Sequence, residues 1–305
     1  AGVVDLLLNM LPGVAVALLL GWGPVAAFVM GGVTYISSSG IIAKVLSDLG
    51  RLGNRETPVI LSILVIEDLT MAVYLPILIA VLAGVSFWGG LQAVGIALLV
   101  LTLILVAALK YGHVVSSAID SPDRESFLLK VMGAALLVAG VASALQVSAA
   151  VGAFLLGIAI SGATAQTATR VLEPLRDVFA ALFFFVFGLN TDPASIPPVL
   201  LVALLLAVVT SFTKMVTGWW AAGKQGIGVL GRARAGAALI ARGEFSIVIA
   251  GLAVASGAVP DEFAALATTY VLLLAVIGPI AARVIEPVIR ALQNRGETPV
   301  AGRTV

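Results

Sequence analysis

The stretch Leu61-Ser62-Ile63-Leu64-Val65-Ile66-Glu67-Asp68-Leu69-Thr70-Met71-Ala72 sets two adjacent carboxylates inside a run, 58–84, that carries no other charge. A run of that length and apolarity predicts a membrane-spanning helix, since about 20 apolar residues cross the hydrocarbon core. Ionisable groups at that position cost roughly 2.5 kcal/mol or more, so each demands a reason. Neighbouring residues point about 100° apart on a helix. That spacing lets one carboxylate face a cavity while the other faces a partner helix.

The rest of the chain has the same character. Of 305 residues, 61% are hydrophobic and 11% charged, with 17 Lys and Arg against 16 Asp and Glu. An ordinary soluble domain is nearer ~25% charged. With a mean hydropathy of +1.15, so few charges cannot coat a soluble globule, which excludes a cytosolic enzyme and a disordered chain. The net charge of +1 gives no basic field for nucleic acid. No Cys is present, which removes disulfides and thiolate sites, and the single His113 removes histidine-based zinc sites and triads.

Ten spans are predicted: 3–21, 24–46, 58–84, 88–110, 126–145, 147–161, 175–190, 197–222, 230–256 and 263–290. The basic residues support that count. Lys44, Arg51 and Arg55 follow the second span; Lys110, Arg124 and Lys130 flank the connection from fourth to fifth; Arg170 and Arg176 lie between sixth and seventh. Lys224, Arg232 and Arg234 follow the eighth, and Arg283, Arg290, Arg295 and Arg303 close the chain. The alternate connections carry no Lys or Arg. By the positive-inside rule both ends are cytoplasmic, in the cell (inner or plasma) membrane. The domain reading is a transmembrane region over 1–290 and a cytoplasmic tail over 291–305. The chain opens Ala1-Gly2-Val3 without an initiator Met, and it reads as incomplete at its N-terminus.

Three further places hold polar groups at depth. Lys214, in Val209-Thr210-Ser211-Phe212-Thr213-Lys214-Met215-Val216, lies about 12 Å from the cytoplasmic end of the eighth span. Glu67 lies about 13 Å deep, so the two are natural charge partners. The ninth span holds Ala241-Arg242-Gly243-Glu244-Phe245-Ser246, read as a helix break in which Arg242 and Glu244 either pair locally or meet an ion. The second span holds Thr34-Tyr35-Ile36-Ser37-Ser38-Ser39-Gly40, where Ser37, Ser38 and Ser39 interrupt the helix and can satisfy freed backbone groups. The first break lies among helices one to three, which begin inside, and the second among helices eight to ten, which begin outside. This predicts an all-α polytopic fold with inverted repeats and two broken helices crossing at the midplane.

At these residues the sequence resembles the monovalent cation:proton antiporter-2 family, which includes Kef-type potassium efflux systems and bacterial sodium/proton antiporters. Residues 36–46 are similar to its serine-rich broken helix, and Ile66-Glu67-Asp68-Leu69 to its acidic motif. Phe183-Phe184-Phe185-Val186-Phe187-Gly188-Leu189 also matches, as does Arg242-Gly243-Glu244-Phe245-Ser246. Lys214 falls on the helix that carries a buried lysine in electrogenic relatives. The family commonly has Gln, Asn or Asp where this chain has Glu67, and about three further N-terminal helices.

The resemblance implies exchange of Na+ or K+ for protons by alternating access, with ion and proton binding at Asp68 and Glu67. The cation would be held at Asp68, and Lys214 would be the charge partner of Glu67 and carry a second proton. It also implies a homodimer when full length, and a separate cytoplasmic subunit for any ligand gating. No cofactor is expected, and an enzyme is not, because nucleophilic chemistry would lack His or Cys support. The rival reading is a cation channel, or a K+ efflux pathway gated by a separate subunit.

Overall fold

The computed structural model describes residues 2–84, 110–144, 159–189 and 192–296, with scattered positions between 92 and 106 and between 152 and 157. Among the described residues every regular element is helical. The protein is an all-α polytopic membrane protein. Its helices are α1 (Gly2–Leu19), α2 (Gly23–Tyr35), α3 (Ser39–Asp48), α4 (Thr57–Leu82), α5 (Arg124–Ala144), α6 (Gly162–Leu189), α7 (Ile196–Lys224), α8 (Val229–Ala238), α9 (Glu244–Ser256) and α10 (Asp261–Gly296). Residues 110–119 are also helical.

Six described segments are long and apolar enough to cross a bilayer, with 23–48 counting as one. The expected spans at 88–110 and 147–161 fall mostly outside the described residues, as do residues 297–305 of the expected tail. One boundary differs from the sequence reading. The helix expected over 175–190 begins at Gly162, so Arg170 and Arg176 lie within α6 and not in a loop. The physical reason is an amphipathic first half. Ala165, Ala168, Val171 and Leu172 recur at helical spacing and pack with Ile119, Phe127 and Val131, while Arg170, Glu173 and Arg176 are exposed. Polar residues on the outer face hid that period behind a loop-like composition.

The chain forms two compact units, residues 69–190 and residues 1–68 with 191–305. The first holds α5, α6 and the apolar cluster just named. Asp123 caps the start of α5, accepting the Ser126 N–H at 2.8 Å. Hydrogen bonding from Ser126, side chain and then backbone, holds the Asp123 carboxyl below its ordinary range.

The second unit holds both helix breaks. Its core is aliphatic: Ile42 and Leu46 of α3, Ile60, Ile63 and Leu64 of α4, Ala221 and Ala222 of α7, and Ala235, Ala238 and Leu239 around the end of α8. Small residues let these backbones approach. A Cβ on Gly218 of α7 would stand 2.5 Å from the Gly236 Cα of α8, so neither helix could keep its place against a side chain there. Charged residues tie one end of the unit. Arg51 donates to the Ala282 carbonyl at 2.6 Å and pairs with Glu286 at 3.0 Å. Arg234 stands 2.6 Å from Glu56 and 3.4 Å from Glu286. The first of these Arg234 contacts is a charge contact without hydrogen-bond alignment.

Gly218→Val should therefore lower stability by roughly 1–3 kcal/mol through overpacking, read as a fall in melting temperature of the purified protein in detergent–lipid micelles. Gly251→Ala is the control. Its added methyl meets nothing within 4 Å, and its melting temperature should hold or rise.

Candidate functional site

The site is built on two interrupted helices. The α2–α3 span stops helical geometry at Ile36, with φ −76° and ψ 132°, and Ser38 is also extended, with φ −86° and ψ 104°. Helix resumes at Ser39, capped by the Ser38 hydroxyl, which accepts the Ile41 N–H at 3.3 Å. The second interruption covers residues 239–243, between α8 and α9. Each break strands backbone donors and acceptors in an apolar interior, where an unmet group is costly.

The breaks satisfy one another. The Ser38 N–H donates to the Ala241 carbonyl at 2.9 Å, and the Ser37 hydroxyl contacts the Leu239 carbonyl at 3.1 Å. Ser246 donates to the Val33 carbonyl at 2.9 Å. Arg242, wholly buried, completes the crossing. Its guanidinium reaches the Thr34 carbonyl from Nε at 3.2 Å and from Nη2 at 3.0 Å, and Nη1 donates to Leu239 and Ile240 at 3.1 Å each. A rigid fork of five N–H donors suits this task, because it can cap several carbonyls on two chain segments at once. The local Arg242–Glu244 pair considered from sequence is not among the described ion pairs. Glu244 instead accepts the Ser38 hydroxyl at 2.7 Å.

Beside the crossing lies a buried ionic cluster. Lys214 of α7 is wholly buried, and its Nζ stands 2.5 Å from Glu67 Oε1. Glu67 also accepts the Ser37 N–H at 2.6 Å and faces the Ser37 hydroxyl at 3.0 Å. The structure thus brings three of the sequence-nominated residues together and ties them to the first break. Lys214 has a further partner that sequence reasoning missed. Asp5 of α1 holds the same ammonium at 2.9 Å and 3.0 Å, one contact from each oxygen. Asn9, one turn on, donates to Asp5 Oδ1 at 2.9 Å and accepts from Thr213 at 2.7 Å. The ring of Tyr35 lies 5.4 Å beneath the ammonium. The signal was present in sequence: an acid within an apolar run, with a second polar residue four positions later on the same helix face.

Asp68 is placed differently. It is half-buried, and among the described residues it makes no ion pair and no side-chain hydrogen bond. The carboxylate of Glu244 is near enough to act on it electrostatically. Ser39 opens α3 and is half-buried. The side chains of Phe183, Phe184, Phe187 and Gly188 lie outside the described residues. Around the crossing, then, Asp5, Glu67, Asp68 and Glu244 stand against two cations among the described residues, Lys214 and Arg242.

Apolar spanning helices, paired breaks and ionisable groups inside the membrane define a multi-pass membrane protein of transporter build. The sequence pattern described as sodium/hydrogen exchanger, transmembrane, matches residues 1–285. The chain is 33% identical over 298 residues to the K(+)/H(+) antiporter subunit KhtU of Bacillus subtilis, covering 96% of this chain and 73% of that protein. It is 30% identical over 283 residues to the ammonium/H(+) antiporter subunit AmhT of Alkalihalophilus pseudofirmus, covering 91% and 71%. The high-affinity Na(+)/H(+) antiporter NhaS3 of a Synechocystis species is 28% identical over 280 residues, covering 86% and 58%. The chain belongs to the sodium/hydrogen exchanger family and, within it, to the monovalent cation:proton antiporter-2 family. Its members are transporters and not enzymes.

Arg242→Met should cost on the order of 3 kcal/mol or more, because each stranded carbonyl costs roughly 1–3 kcal/mol. Ser246→Ala removes one donor and should cost about 1 kcal/mol. Thermal unfolding of the two proteins in the same lipid–detergent mixture checks that order.

Proposed function

We propose that the protein exchanges a monovalent cation for protons, with Asp68 as the group that binds the cation on one half-cycle and the proton on the other. The observation that carries this reading is the state of Asp68: a half-buried carboxylate beside Glu244 with no protein cation of its own among the described residues. Lys214 is engaged by Glu67 and Asp5, and Arg242 by backbone carbonyls. A carboxylate left over in that setting favours either a proton or a hard cation, and competition of the two for one group couples their fluxes. Hydroxyls and carbonyls of the breaks supply the oxygen ligands a hard cation prefers.

The reading includes alternating access as the transport mode. The crossing and its charges form a compact unit whose site can be offered to one side or the other without dismantling the backbone contacts. The relatives' names cite K+, ammonium and Na+, so all three belong in the assay. Two relatives are named as subunits, which supports a separate regulatory partner here. The loop charges support a plasma-membrane protein with a cytoplasmic C-terminus.

In proteoliposomes with an imposed pH gradient, Asp68→Asn should reduce cation-driven proton release by at least about a hundredfold while the protein reconstitutes normally. Full exchange by that variant overturns the assignment. Flux that ignores the pH gradient in the unsubstituted protein would favour the channel instead.

A further inference from the structure

Where α7 ends at Lys224, the unit of residues 1–68 and 191–305 has a cavity of about 670 Å³. Its lining comes from α7 and α8. Met215, Trp219 and Trp220 make one side apolar, and Lys224 and Arg232 make the other cationic. Among the described residues no acid lines it.

Arg232 is anchored at its inner end. Its Nε donates to the Ile227 carbonyl at 2.7 Å, and its guanidinium lies across Gly223, where a Cβ would stand 3.2 Å from the guanidinium carbon. Glycine lets the cation lie against α7. The Lys224 ammonium stands 5.8 Å from the centroid of the Trp220 ring. Among the described ion pairs, neither Lys224 nor Arg232 has a carboxylate. Other cations of the same unit do: Lys44 pairs with Asp48, and Arg51, Arg234 and Arg290 all pair with Glu286.

We propose that this cavity binds the headgroup of an anionic phospholipid, with its phosphate against Lys224 and Arg232 and its glycerol and upper acyl chain against Met215 and the two tryptophans. The level is right for a headgroup. The apolar span 193–224 ends at Lys224, so the indoles lie about 6–8 Å from its end along the helix axis. Tryptophan gathers at that depth because its ring is apolar and its N–H is polar. A guanidinium offers phosphate a planar fork of donors, and an ammonium adds a point charge. Basic pockets between spanning helices are suited to anionic headgroups. A zwitterionic lipid brings its own ammonium, which offsets its phosphate and competes with the two side chains. Free phosphate would meet the cations and leave the apolar wall unfilled. Among the described residues, Lys224 and Arg232 make no hydrogen bond or ion pair to the Lys214 cluster or to the crossing, so the inference stands apart from the exchange reading.

The test uses the full chain in lipid nanodiscs with Trp22→Phe and Trp88→Phe, which leaves Trp219 and Trp220 as its indoles. Brominated phosphatidylglycerol, titrated into phosphatidylcholine, should half-quench their fluorescence at a mole fraction at least about fivefold below that of brominated phosphatidylcholine, since each interfacial cation contributes roughly a factor of five. Lys224→Gln, at an exposed position, should reduce that preference by roughly fivefold, and Lys224→Gln with Arg232→Gln should bring the two lipids to within about twofold. Arg283→Gln, which removes an exposed cation of α10 outside the cavity, should retain the preference. Inorganic phosphate added at constant ionic strength should leave the quenching unaltered. Equal quenching by the two lipids, or none by either, would overturn the proposal. So would a preference unchanged in Lys224→Gln or lost in Arg283→Gln, and so would relief of quenching by inorganic phosphate. If the tryptophan substitutions prevent reconstitution, native mass spectrometry of the unsubstituted chain from mixed micelles reads the same preference: more retained phosphatidylglycerol than phosphatidylcholine supports the site, and equal retention overturns it.

Discussion

Backbone polarity at the two breaks constrains the rest of the molecule. A continuous helix satisfies its own N–H and C=O groups, and a break in an apolar interior gives that up. Here the debt is met by reciprocity. Ser38 donates to Ala241, Ser37 contacts Leu239, Ser246 donates to Val33, and Arg242 gathers carbonyls from both segments. Neither break is satisfied without the other, so the α2–α3 and α8–α9 spans must cross at this place. The glycine contact between α7 and α8 then brings Lys214's helix close enough to join them.

The crossing also determines where charge can sit. The Ser37 N–H freed by the first break donates to Glu67, which orients that carboxylate toward Lys214. Its sequence neighbour Asp68 is thereby turned about 100° away, toward the surroundings of Glu244. Two adjacent acids on one helix thus acquire different environments. One is fully engaged by donors, and the other has no cation from the protein. That division supports the separate parts proposed for them in exchange.

Much of this was legible in the sequence, for identifiable reasons. Hydropathy and loop charge reveal spans because the bilayer penalises exceptions so heavily. Glu67, Asp68, Lys214 and Arg242 stood out for the same reason. Other features were hidden. Asp5 is the clearest case, since its partner lies 209 positions along the chain. The role of Arg242 was hidden too: Glu244 is the nearest acid in sequence, yet the guanidinium caps carbonyls instead. The early start of α6 escaped because its exposed face is polar, although its buried face keeps helical period.

What the sequence determined by itself is the class of molecule: an all-helical chain in a membrane, interrupted twice, with ionisable groups at depth. Those properties follow from local composition, and the bilayer reads composition residue by residue. Only the tertiary structure decided which charges meet. Pairing depends on which helix faces are brought within about 3 Å of each other, and that is set by the mutual satisfaction of two distant breaks and by close packing at glycine. The lysine was visible at once; that it has two carboxylates to balance, and not one, needed the fold.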